Sequence, residues 1–132
     1  MSRRLVLIVE DSRDLAANLE IACMAIPNVE VQVAMGAGQA WTLLQEVRPD
    51  DSLVIVTDMR LPDADGIELI KDVKQHHVLA RAPVVAVSGD ADPSIVRDLA
   101  QLGVNAFYKK PYSPIAVAHH LRTLLDALPE TA

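Results

Sequence analysis

A chain of 132 residues has the length of one domain, enough to hide roughly two thirds of its unfolded surface without staples. The formal charge of −6 argues against nucleic acid as a direct ligand, because phosphate neutralisation supplies most of such affinity. The lone Cys23 excludes an internal disulfide. No apolar run approaches the ~20 residues that span a bilayer, and Met1-Ser2-Arg3-Arg4 leads into a run too short for a signal-peptide core. The expectation is a cytoplasmic protein, one domain over residues 1–132 with an ordered core from about 4 to 128, whose partners are other proteins rather than membrane or nucleic acid.

In chain order, Leu5 to Val9 is an unbroken apolar strand. Leu15, Leu19, Ala22, Cys23 and Ile26 repeat at helical spacing, and Pro27 ends that helix. A second strand runs from Val29 to Ala34, and Ala37, Ala40, Trp41, Leu44 and Val47 form a second helix closed by Pro49. Leu53 to Thr57 is the third strand. Asp65, with Glu68 three residues on, has the form of a capping box for a third helix that turns Ile67, Ile70 and Val73 inward. Val84 to Ser88 is a fourth strand and Ala106 to Lys109 a weaker fifth. Asp92-Pro93 and Ser113-Pro114 pair a good N-cap with proline at the first helical position, so the fourth and fifth helices start there. The fifth buries Val117, Leu121, Leu124, Leu125 and Leu128, and the final residues 128–132 read as a frayed end.

Strands alternating with helices mean a parallel sheet with crossover helices, an α/β fold. The first, third and fourth strands are apolar throughout, as central strands covered on both faces are. In such sheets ligands bind beyond the carboxyl ends of the strands, and five polar residues fall there: Glu10 and Asp11 after strand one, Asp58 after strand three, Ser88 ending strand four and Lys110 after strand five. If strands one and three are neighbours, three carboxylates meet. Two like charges about 4 Å apart repel by ~4 kcal/mol at the effective dielectric of a protein surface. A divalent cation relieves this, and hard oxygen ligands suit Mg²⁺.

Ile8-Val9-Glu10-Asp11, Thr57-Asp58-Met59-Arg60-Leu61-Pro62 with Asp65-Gly66, Val87-Ser88-Gly89, Phe107 and Lys110-Pro111 together resemble the response-regulator receiver domain of two-component signalling, CheY-like, over essentially the whole chain. The resemblance implies a doubly wound, flavodoxin-like five-stranded parallel sheet of order 2-1-3-4-5 flanked by five helices. It implies that Asp58 is the phosphoacceptor, taking its phosphoryl group from the phosphohistidine of a sensor histidine kinase or phosphotransfer protein. It further implies that Glu10, Asp11, Asp58 and the backbone carbonyl of Arg60 hold Mg²⁺ (or Mn²⁺), and that Lys110 and Ser88 contact the phosphoryl oxygens. By the same resemblance the Lys110-Pro111 bond is cis, Ser88 and Phe107 form the switch, and the face made by the fourth helix, fifth strand and fifth helix contacts a downstream protein target. The chain is then a signalling phosphoacceptor with self-phosphorylation and self-dephosphorylation only, not an enzyme acting on an outside substrate.

Glu10 stands where the family more often has Asp, and Ser88 where it more often has Thr. Arg60 and Asp90, each two positions beyond a site residue, bear opposite charges and are expected to pair at the mouth of the site and slow loss of the phosphoryl group. Asp63 reads as a loop residue, Asp65 and Asp92 as caps, Trp41 as core, and Cys23 as a buried structural thiol. His76-His77 and His119-His120 read as adjacent pairs pointing in different directions along helices rather than as metal ligands. Tyr108 and Tyr112 flank the switch region, where partner contact and ordinary packing compete. An aspartyl-phosphate hydrolase of the haloacid dehalogenase type would place a second Asp where Arg60 stands. A flavin or nucleotide binder wants amides cradling phosphate after strand one, where Glu10-Asp11 repel an anion. A receiver-like scaffold that is never phosphorylated is the remaining alternative.

Overall fold

The computed structural model describes residues 2–90 and 92–129, so residues 130–132 of the expected frayed end lie outside the described residues. The described residues form β1 (Arg4–Val9), α1 (Arg13–Cys23), β2 (Val29–Ala34), α2 (Ala37–Leu44), β3 (Ser52–Asp58), α3 (Gly66–Gln75), β4 (Val84–Ser88), α4 (Pro93–Gln101), β5 (Ala106–Lys109) and α5 (Pro114–Asp126). All pairings are parallel and the strand order is β2-β1-β3-β4-β5. This is the doubly wound α/β fold that the sequence implied.

Period-two alternation along the central strands divides the core into two layers. Leu5, Leu7, Val9, Leu53, Ile55, Val84 and Ala86 point to one face and pack with α2, α3 and Leu99 of α4. Val6, Ile8, Val54, Val56, Val85 and Val87 point to the other and pack against α1 and α5. Both faces of β1, β3 and β4 are therefore dry, which is why these runs need no polar alternation. Among the described residues no helix is long and apolar enough to cross a membrane.

Three helix starts carry the anticipated caps, Asp65, Asp92 and Ser113, and Ser12 caps α1 in the same way. Ser12, Asp65, Asp92 and Ser113 accept hydrogen bonds from Leu15 N, Ile67 N, Ser94 N and Ala116 N at 3.4, 3.1, 2.8 and 3.2 Å. The reciprocal half of the box at α3 is not made in the expected way, since Glu68 lies 3.8 Å from Lys71. α2 stops at Leu44, and Val47 packs on the core from the turn beyond it. α3 stops at Gln75, and His76 is its C-cap in an extended conformation (φ −84°, ψ 127°). The His76 and His77 rings therefore do not diverge as residues on a continuing helix would; they stack, with centroids 4.9 Å apart and an interplanar angle of 16°. His76 Nδ1 accepts from Val78 N at 3.1 Å, so this ring acts in the cap. Exposed Ile21, Met24 and Ile115 lie along α1 and α5.

Candidate functional site

The parallel register brings the ends of four strands to one rim. Val9 pairs with Thr57 and Asp58 with Val87, so Glu10 and Asp58 leave adjacent strands side by side, with Ser88 next to Lys109 one strand further on. Glu10, Asp58 and Ser88 are buried while Asp11 is exposed. One carboxylate oxygen from each of Glu10, Asp11 and Asp58 lies within 4.8 Å of the others. The trio inferred from two apolar runs is thus assembled.

Lys110 crosses the site. Its Nζ is 2.6 Å from Asp58 Oδ2 and 2.7 Å from Glu10 Oε1. Both contacts pair the Lys110 ammonium closely with a buried carboxylate oxygen. Glu10 Oε2 accepts from Ser12 N at 3.1 Å, and Asp58 Oδ1 from Arg60 N at 3.2 Å. Burial pushes the Glu10 carboxyl above its usual range, opposed by Lys110 and the Ser12 amide and reinforced by the Asp58 charge. Burial pulls the Lys110 ammonium down, but Asp58 and Glu10 more than offset it, and the net shift is upward. A lysine clamped in this way stays charged.

Backbone geometry fixes these side chains. Gly66 N donates to Met59 O at 2.8 Å, and the helix start packs so closely on β3 that a Cβ at Gly66 would collide with the Asp58 carbonyl and stand 2.7 Å from Met59 Cα. Lys110 N donates to Ser88 O at 2.8 Å, and the Lys110-Pro111 peptide bond is cis. The Ser88 hydroxyl accepts from Asp90 N at 3.1 Å. Phe107 is partly buried and packs on the layer shared with α4. Arg60 Nη2 and Asp90 Oδ2 face each other at 3.7 Å, the two side chains 83 % and 44 % exposed.

Outside this set, burial pushes the Cys23 thiol up to about 11, which suits a structural residue. Lys109 is exposed, unlike Lys110. Tyr108 packs rather than projecting, with its hydroxyl 2.8 Å from His120 Nδ1. Trp41 is partly buried on the α2 layer. Asp63 does more than a loop residue would. It accepts from Ala37 N and Gly38 N at 2.8 and 2.9 Å and caps α2 from 26 and 25 residues away, a partnership that no local pattern signals.

The donor set fits a hard divalent cation: an oxygen from each of the three carboxylates Glu10, Asp11 and Asp58 converges within 4.8 Å of the others. A doubly wound parallel sheet carrying a lysine-bridged acid cluster at its carboxyl edge defines a narrow class of α/β protein. The chain belongs to the response regulator receiver domain family, whose model matches residues 6–122. It is similar to a chemotaxis protein CheY homolog of Campylobacter jejuni, 26% identical over 120 residues that make up 91% of each chain. It is also similar to the transcriptional regulatory protein KdpE of Staphylococcus aureus, 28% identical over 90% of this chain but only 48% of that regulator. Among solved structures, the signal receiver domain of a signal transduction histidine kinase from Syntrophus aciditrophicus superposes with a TM-score of 0.81 at 27% identity, covering 97% of this chain and 94% of that one. Receiver domains are the phosphoacceptors of two-component signalling and bind Mg²⁺ at an acidic pocket, of which Glu10, Asp11 and Asp58 form the counterpart here.

Proposed function

We propose that this chain is a phosphorylation-controlled switch in which Asp58 receives a phosphoryl group from the phosphohistidine of a sensor histidine kinase or phosphotransfer protein. An Asp58 carboxylate oxygen attacks phosphorus, the P–N bond breaks, and the imidazole leaves with its electron pair. The observation that carries this reading is Lys110 poised between Asp58 and Glu10, a cation held against the carboxylate that would take the phosphoryl group. Phosphoryl transfer depends mainly on such positioning and charge neutralisation. Glu10, Asp11, Asp58 and the Arg60 carbonyl hold the metal, and Mg²⁺ or Mn²⁺ when bound supplies further neutralisation of the phosphoryl charge.

Ser88 gives up its contact with the Asp90 amide and donates its hydroxyl to a phosphoryl oxygen, and Phe107 turns into the space it leaves. The α4–β5–α5 face then changes its affinity for a downstream protein. Moving a population from 1:99 to 99:1 needs about 5.5 kcal/mol of preference for the active state, which a dianion contacting Lys110 and Ser88 is suited to provide much of. The Arg60–Asp90 pair stands over the mouth of the site and hinders attacking water. Because the pair is exposed it adds little to stability, so Arg60→Ala should leave the melting temperature unchanged and shorten the phosphoryl lifetime; an unchanged lifetime removes Arg60 from the mechanism. Incubation with acetyl phosphate and Mg²⁺ followed by intact-mass measurement tests the whole reading. Wild type gains one phosphoryl group and Asp58→Asn none; no gain in wild type favours the unphosphorylated scaffold.

A further inference from the structure

α2 has no cap of its own. Its N-cap position is Gly36, which offers no side-chain acceptor to the first-turn amides. Those amides are satisfied from elsewhere, Ala37 N donating to Asp63 Oδ1 at 2.8 Å and Gly38 N to Asp63 Oδ2 at 2.9 Å. The approach is close, for a Cβ on Gly36 would stand 2.8 Å from Asp63 Oδ1. The two amides hold the Asp63 carboxyl below the usual carboxylate range, as a charge-assisted clamp does.

Asp63 sits at the tip of the loop that follows the phosphoacceptor. Arg60 and Asp65 pair as an antiparallel bridge, and Leu61 N donates to Ala64 O at 3.3 Å, so residues 60–65 double back as one unit. The base of that unit is pinned by Gly66 N to Met59 O, and from it Arg60 N reaches Asp58 Oδ1 at 3.2 Å. The tip is tied to α2 by Asp63. Asp63 thereby ties to α2 the same doubled-back loop whose other end carries the Arg60 amide that bonds Asp58.

We propose that Asp63 is a positioning residue for the acidic cluster, clamping the loop tip to α2 so that the Arg60 backbone stays against Asp58 and fixes where its carboxylate points. The proposal rests on the reading of Glu10, Asp11 and Asp58 as a Mg²⁺ site. An ordinary helix cap would contribute to stability alone, whereas a positioning residue also sets metal affinity; direct outer-shell partners of metal ligands change it by about 10–100-fold, and Asp63, one link further out through the 60–65 loop, belongs at the lower end of that range.

The test is calorimetric titration of metal-free protein with Mg²⁺, alongside thermal melts, for wild type, Asp63→Ala, Asp63→Asn and Ala40→Gly. Ala40 is buried within α2 and is not one of the two residues whose amides bond Asp63, so Ala40→Gly loosens the helix while leaving both bonding groups in place. Asp63→Ala is expected to raise the Mg²⁺ Kd about tenfold, Asp63→Asn to give an intermediate value because it keeps one acceptor oxygen, and Ala40→Gly to melt lower with the wild-type Kd. Wild-type affinity in Asp63→Ala, or equal weakening in Ala40→Gly, overturns the proposal. A wild-type protein that takes up no Mg²⁺ overturns the reading of the cluster and the proposal with it, an outcome distinct from the other two.

Discussion

Asp58, Glu10 and Lys110 balance each other, and the balance makes opposite predictions for two substitutions. Three acids and one ammonium leave the metal-free site with excess negative charge. Asp58→Asn removes one charge while Lys110 keeps its ion pair with Glu10 at 2.7 Å. The variant should melt higher than wild type without metal, by about 1 kcal/mol as the Coulomb relief at high effective dielectric suggests. Lys110→Met does the reverse, leaving two buried carboxylates uncompensated at a cost of about 2–3 kcal/mol, somewhat under that of breaking a fully buried pair. Mg²⁺ should narrow both gaps, because it stabilises whichever folded form binds it better. Melting curves in chelator and in excess Mg²⁺ give all four values. If Lys110→Met melts as wild type does in chelator, the lysine is not compensating the acids.

At the scale of elements, close packing and caps place the site, and each has its own signature. Gly66→Ala forces α3 away from β3, because the new methyl meets the Asp58 carbonyl and Met59 Cα rather than a yielding side chain. Such overpacking costs about 3 kcal/mol, and a denaturant melt that moves by less than a third of that shows the helix can step aside. Asp51 ties the approach to β3 to the approach to β1. It accepts from Arg3 N and Arg48 N at 2.9 Å each and from Arg3 Nη2 at 3.0 Å. Burial raises its carboxyl, but the Arg48 amide and the two Arg3 donors outweigh it, and the net shift is downward. A depressed carboxylate adds stability that is full above its unfolded value near 3.9 and fades as pH falls through the lower folded value. The stability difference between wild type and Asp51→Asn should therefore be constant from about pH 5 to 7 and shrink below about pH 4. A difference independent of pH throughout would mean that the charge of Asp51 is not what the fold uses.

These two cases also mark what is legible in sequence. The strands announced themselves because β1, β3 and β4 are dry on both faces and cannot carry polar alternation. Three of the five caps, Asp65, Asp92 and Ser113, were legible because each lies two or three residues from the amide it accepts from; Ser12 at α1 is just as local but carries neither a following proline nor a capping-box partner to mark it. The α2 cap was not, since its acceptor is supplied across 26 residues and only the fold brings Asp63 to Ala37. The stacking of His76 on His77 was missed because α3 ends one residue before them, and a boundary error of one residue reverses where side chains point. Glu10, Asp11 and Asp58 were readable as a cluster from parallel strand ends alone. Lys110 was placed at the same rim by its strand end, but that it bridges Asp58 and Glu10 was not legible, because spacing says nothing about which side chain crosses a rim.

For the whole molecule, stability is unevenly distributed, and the unevenness lies where the proposed signal leaves. The strands β1, β3 and β4 are buried along nearly their entire length. α4 is the opposite extreme, with Leu99 its one buried residue among the described residues, Ile95 partly covered and Val96 exposed. β5, beside it at the sheet edge, has no fully buried position among the described residues. Elements with few buried apolar contacts open with a free energy far below that of global unfolding. Amide exchange in α4 should accordingly run at least about a hundredfold faster than in β3, since each 1.4 kcal/mol of opening energy is a factor of ten. Acetyl phosphate with Mg²⁺ should then change exchange in α4 and β5 while leaving β1 and β3 unmoved, because only weakly held elements can be redistributed by a few kcal/mol at Asp58. Hydrogen exchange read by mass spectrometry distinguishes the cases. Protection in α4 equal to that in β3 before phosphorylation would leave no soft element to shift, and the output would have to leave by another face.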